Sequence, residues 1–175
     1  MILIRALKHS GFTVGSFGVG TQVKLPGQSQ STPNIYAFGT KYTEIYEDLK
    51  SQNEEMFTRN GMLEMIKRDV GVKEAPQKFQ ENTTPFDIIV TFEEIVMDKV
   101  LEHFARVSST LMRPVAVINL DVKDSHEEAA IAAPAALQLC SMIDKAEEWE
   151  DELESLLERF HQETGRRAIY NICFH

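Results

Sequence analysis

The chain has 175 residues, 18 basic and 27 acidic, giving a formal net charge of -9; that length suits one domain with its own core, and the charge argues against a general nucleic-acid-binding surface. An anionic ligand would need a local basic pocket. Cys140 and Cys173 lack metal-ligand spacing and no apolar run reaches membrane-spanning length, which excludes a disulfide framework, a zinc ribbon and a transmembrane helix, and predicts a soluble intracellular protein.

The opening Met-Ile-Leu-Ile is too short for a secretory signal core, and Arg5, Lys8 and His9 follow it instead of preceding it. Residues 12–19, with Gly11 before them and Gly18 and Gly20 closing them, alternate as a strand does. The stretch after them, through Pro33, is rich in Gln, Ser, Gly and Pro and predicts a loop. Tyr42, Ile45, Tyr46 and Leu49 recur at helical spacing, so an amphipathic helix should end near Ser51. A second helix starts near Asn53, carries Met56 and Phe57, breaks at Asn60-Gly61 and runs through Leu63, Met65 and Ile66 to a stop at Gly71.

The β-branched run DIIVTF, residues 87–92, predicts a buried strand. Glu93 and Glu94 suit the positive end of the helix that follows, whose apolar face is Val96, Val100, Phe104 and Val107. PVAVINL, residues 114–120, is another buried strand and leads directly into DVKDSHEEAA, where Ser125 and Glu128 have capping-box spacing. Pro134 lies inside the resulting helix and should kink or split it, because it cannot donate a backbone hydrogen bond. Trp149, Leu153, Leu156, Leu157 and Phe160 form the inner stripe of a last acidic helix, and AIYNICF, residues 168–174, is a terminal strand.

Strands alternating with helices predict an α/β fold, an open and mostly parallel sheet with helices on both faces. Its site should lie beyond the carboxyl ends of the strands. Asp121 and Asp124 follow a buried strand there, where one could be held protonated as a general acid; equally, Asp124, Ser125, Glu127 and Glu128 could do no more than cap a helix. Reading Asp121, Asp124, His126 and Glu127 as a metal cluster is weaker, because adjacent residues at a helix start point different ways. Lys24 offers a cation, and Pro26-Gly27 a rigid turn for a peptide groove, against the plainer reading of a solvated lysine in an ordinary turn. Neither cysteine heads a Cys-x5-Arg loop: Ala146 stands six residues after Cys140, and Cys173 is too near residue 175.

Taken together, the segments GFTVGSFGVGTQVKLPG, PNIYAFGT, FTRNGMLEMI, FDIIVTFEE and NLDVKDSHEEAA, with the closing strand that holds Cys173 and Phe174, resemble one family. It is the eukaryotic phosphatase family that dephosphorylates the C-terminal heptad repeats of RNA polymerase II. The resemblance covers the whole chain. It implies a three-layer fold similar to low-molecular-weight tyrosine phosphatases, hydrolysis of the fifth-position phosphoserine with the next proline in cis, and no metal or other cofactor. It also implies a nuclear location and partners among the mRNA cleavage and polyadenylation factors as well as the polymerase repeats. By the same resemblance Asp124 is the general acid and Asp121 orients its loop. Lys24, Leu25, Pro26 and Gly27 belong to the peptide-binding loop, and Asn60 and Met65 to a second substrate segment.

In that family a first, central strand leads into Cys-x5-Arg-Ser, and Met1 here aligns with the methionine that follows the serine. The expectation is therefore a chain truncated before its first helix, lacking the nucleophile and inactive as written. Alternatives are a non-catalytic binding module, or residues 1–7 recruited as a strand beside residues 12–19.

Overall fold

A computed structural model describes residues 2–29, 31–107, 111–122 and 126–175. The chain divides into two compact units, residues 3–5 and 14–82 forming the first and residues 2, 6–13 and 83–175 the second. Helix α1 (Ile2–His9) opens the chain, with Lys8 and His9 in the last turn, where a cation complements the helix dipole. Gly11 closes it at φ 91°, a left-handed conformation that suits glycine, while Phe12 N–H bonds back to Leu7 O. A helical start removes the recruited-strand alternative.

The expected strand at residues 12–19 does not form. Gly18 makes one isolated bridge to Lys78, its N–H donating to Gln77 O and its carbonyl accepting from Phe79 N–H, both at 2.9 Å. Lys73 Nζ donates to Ser16 O, and Phe17 meets Phe79 edge-on at 6.1 Å. Alternation without a ladder partner does not make a strand. The stretch expected as a loop is instead a hairpin of β1 (Val23–Ser29) and β2 (Thr32–Tyr36). Its Pro and Gly lie where the register shifts between Leu25 and Ser29, the irregular position at which a strand tolerates a missing N–H.

Helix α2 (Tyr42–Arg59) contains the expected interruption, as a non-helical Asn53 at φ -167° and ψ 87°. Asn53 then caps the second half, its Oδ1 accepting from Met56 N–H at 3.0 Å. Asn60 ends α2, and Gly61, at φ 77°, begins α3 (Met62–Val70). Ile45, Leu49, Phe57, Leu63 and Ile66 from these helices are the buried centre of the unit.

In the second unit a sheet has the order β3-β4-β5, from β3 (Ile88–Thr91), β4 (Pro114–Leu120) and β5 (Ala168–Phe174). Strand β4 is central and buried from Val115 onward. It pairs in parallel with β3, across helix α4 (Glu94–Arg106), and antiparallel with β5. The α/β class and flanking helices are as expected, and the sheet is mixed. Two helices in series, α5 (His126–Asp144) and α6 (Trp149–Thr164), return the chain to the end of β4 it left, so Ala168 pairs with Leu120 and β5 runs back.

Pro134 does not split α5. The carbonyl deprived of its donor is that of Ala130, and both residues are exposed, so water can satisfy it. A proline carried inside a continuous helix still costs stability. Pro134→Ala should raise the unfolding free energy by about 1–3 kcal/mol in urea denaturation; an unchanged or lower value would mean that α5 is broken there.

Candidate functional site

The hairpin presents two faces because side chains alternate along a strand. Leu25 and Tyr36 point toward the α2–α3 cluster and pack against it, as does Met65 from α3. Lys24 and Pro26 lie on the other, exposed face. There Lys24 is paired across the strands with Ile35, which is 50% exposed. The face thus sets a cation beside an uncovered apolar side chain. Nothing in the motif pointed to Ile35; its signal was the alternation of PNIY, which sends Tyr36 inward and Ile35 out.

Gly27 sits where no side chain fits. A Cβ there would collide with Thr32 O across the hairpin. Asn34 Nδ2 donates to Pro26 O at 3.2 Å, tying the second strand to the irregular part of the first. Asn60 is at the corner between α2 and α3, its Oδ1 accepting from Met62 N–H at 3.1 Å, which leaves its amide N–H groups to other partners. Lys24, Leu25, Pro26, Gly27, Asn60 and Met65 thus fall in one unit, with Leu25 and Met65 on one core cluster.

In the second unit β3 and β4 end side by side, at the carboxyl edge where an open parallel sheet places its site. Thr91 and Asn119 are opposite one another in the ladder and both buried, and Thr91 Oγ1 donates to Asn119 Oδ1 at 2.8 Å. The following loops are also joined, Val122 N–H donating to Phe92 O at 3.0 Å. Asp121 stands exposed between these two ties, at the start of the acidic loop. Asp124 and Ser125 lie outside the described residues, as do the side chains of His126 and Glu127, so neither the acid nor the capping-box reading is placed. Among the described residues no group of three His, Cys, Asp or Glu side chains could hold a metal ion.

Both thiols are free. Burial pushes the Cys140 thiol, in α5, up to about 11, with Asp144 adding to the rise, and burial also raises Cys173. A thiolate nucleophile needs the reverse, an electropositive setting that lowers its pKa. Among the described residues, then, the hairpin face and the strand-end loop are present, and an activated thiol is not.

Two outcomes follow from this geometry. Gly27→Ala should lower stability by about 1–3 kcal/mol, because the hairpin must open to admit the methyl group; an unaltered urea midpoint would contradict the close approach. The thiol of Cys140 ionises near its ordinary value of 9.0 when unfolded and near 11 when folded, so its contribution is complete below the first value and lost as pH rises through the second. Stability should fall by roughly 2–3 kcal/mol across that interval, and Cys140→Ala should remove that part of the slope; an identical slope in the variant would refute the assignment.

The family profile described as Ssu72-like protein matches residues 1–175. The chain is similar to the RNA polymerase II C-terminal domain phosphatase SSU72 of Dictyostelium discoideum, 45% identical over 172 residues that cover 97% of this chain and 80% of that protein. The mouse (Mus musculus) protein of the same name is 41% identical over 169 residues, covering 97% of this chain and 87% of its own length. In structure, the chain matches D. melanogaster Ssu72, solved with Symplekin and a cis peptidomimetic CTD peptide phosphorylated on its fifth-position serine. The TM-score is 0.95 at 37% identity, over 99% of this chain and 90% of that one.

Proposed function

This chain belongs to the Ssu72-like family, and on that footing we propose that it serves dephosphorylation of the fifth-position serine in the C-terminal heptad repeats of RNA polymerase II. Its setting is the nucleus, beside the cleavage and polyadenylation factors of mRNA 3′-end formation. The observation that carries this reading is the agreement in sequence and fold along essentially the whole chain with phosphatases of that substrate. The hairpin supports it chemically. A phosphoserine brings a charge of about -1.5 to -2, and a protein of net charge -9 must meet it with a local cation. Lys24 is such a cation, with Ile35 and Pro26 exposed beside it for the apolar neighbours of the serine.

In the family reaction a thiolate attacks phosphorus, an aspartic acid protonates the departing serine oxygen, and water hydrolyses the cysteinyl phosphate. Asp124 takes the acid's part and Asp121 steadies its loop. Lys24 and Pro26 face the peptide, Gly27 shapes the turn beside them and Asn60 the neighbouring corner, while Leu25 and Met65 hold the loop on the core beneath. No Cys-x5-Arg occurs in the 175 residues, and both thiols present are held protonated by burial. That observation favours a second reading, a chain that holds the phosphopeptide or a 3′-processing partner without hydrolysing it.

Fluorescence anisotropy with a labelled heptad peptide, together with hydrolysis of para-nitrophenyl phosphate, separates the two. The purified chain should bind the peptide phosphorylated on its fifth-position serine about tenfold or more tightly than the unphosphorylated one and give no turnover above blank. Turnover lost on Asp124→Asn would establish the phosphatase and end the non-catalytic reading. Equal affinity for the two peptides would overturn the substrate assignment.

A further inference from the structure

Helix α2 does two things that an uninterrupted helix cannot. At Asn53 the backbone leaves helical angles, and Met56 N–H, which would ordinarily bond Gln52 O, donates to Asn53 Oδ1. The freed Gln52 carbonyl instead accepts from Gln28 Nε2 on the hairpin at 3.3 Å. One turn earlier, Asp48 Oδ2 accepts twice, from Tyr36 OH at 2.7 Å and from Gln52 Nε2 at 2.9 Å. Both strands are therefore tied to the same turn of α2, β2 through Tyr36 and β1 through Gln28. Between those ties stand Lys24, paired with Ile35, and the Asn34 amide on Pro26 O.

We propose that Tyr36, Asp48 and Gln52 are positioning residues that hold the Lys24 face of the hairpin in the geometry a phosphopeptide requires. The inference rests on the hairpin being the peptide site. Its physical basis is that β1 and β2 have only three regular pairs before the bulge, at Val23, Lys24 and Leu25, and a two-stranded ribbon that short does not hold its shape in water. Packing of Leu25 and Tyr36 on the core fixes its height but not its twist; directed bonds at Tyr36 and Gln28 fix both ends. Tyr36 is well suited to the task, because its ring is part of the packing and only its hydroxyl reaches the carboxylate. Charge on Asp48 is not what the anchor uses: an amide oxygen at that position would accept the same two donors.

The test takes Tyr36→Phe, Asp48→Ala and Asp48→Asn in the full chain, with Lys24→Ala as a reference. Two readouts are used, anisotropy with the heptad peptide phosphorylated on its fifth-position serine and amide hydrogen exchange. Tyr36→Phe and Asp48→Ala should each weaken binding about tenfold, Asp48→Asn should stay within about twofold, and faster exchange should be confined to residues 23–36. Wild-type affinity in Tyr36→Phe and Asp48→Ala would overturn the anchor. So would equal losses in Asp48→Ala and Asp48→Asn, which would make the effect one of charge, or exchange accelerated throughout α2 and α3, which would make it one of general stability. If Lys24→Ala binds like the wild type, the peptide-site reading fails instead, and hydrogen exchange still decides whether the hairpin is held from Asp48.

Discussion

A hairpin of two short strands is marginal in water, so the one that carries Lys24 depends on what lies beneath it. Beneath it are Leu49, Phe57, Leu63 and Ile66, a fully buried cluster drawn from two helices joined at the Asn60-Gly61 corner. Leu25 and Tyr36 lean on that cluster from the hairpin, and Met65 from α3. Every exposed feature of the face inherits its position from this packing: inward Leu25 sends Lys24 outward, and inward Tyr36 does the same for Ile35. The break in α2 at Asn53 belongs to the same arrangement, because it provides a carbonyl that a regular helix would have kept for itself.

The second unit meets a comparable requirement by backbone pairing. Strand β4 is bonded on both sides and buried from Val115 to Leu120, so the residue that leaves it, Asp121, starts from a fixed point. Thr91 and Asn119 finish the parallel pair with a buried side-chain bond in place of one more apolar contact. A buried hydroxyl and amide tolerate little misalignment, since an unmade bond there costs about 1–3 kcal/mol.

Much of this was legible in the sequence where local rules and tertiary context agree. Asn53 as the start of a second helical segment, the Asn60-Gly61 corner, and the apolar runs at residues 88–91 and 114–120 follow from capping, glycine and β-branched chemistry, and all are present. The misses arose where context decides. Residues 12–19 alternate like a strand but find no ladder, whereas VKLPGQS reads as a loop by composition and is a strand, because Leu25 has a core to pack on. The direction of β5 depends on two helices in series, which no local pattern encodes. Among the proposed site residues, the motif names Lys24 through Gly27, while Ile35, Asp48 and Gln52 carry no motif, since their positions come from strand pairing and from hydrogen bonds at a kink.

The outward face of the hairpin is the proposed seat of the phosphopeptide. The most direct test of that placement is a nuclear magnetic resonance titration of the isotope-labelled chain with a heptad peptide phosphorylated on its fifth-position serine, following backbone amides residue by residue. Shifts should be concentrated at Lys24, Leu25, Gly27 and Ile35 and at the Asn60-Gly61 corner, and absent with the unphosphorylated peptide. Shifts that leave the hairpin untouched while the peptide is bound would contradict that placement.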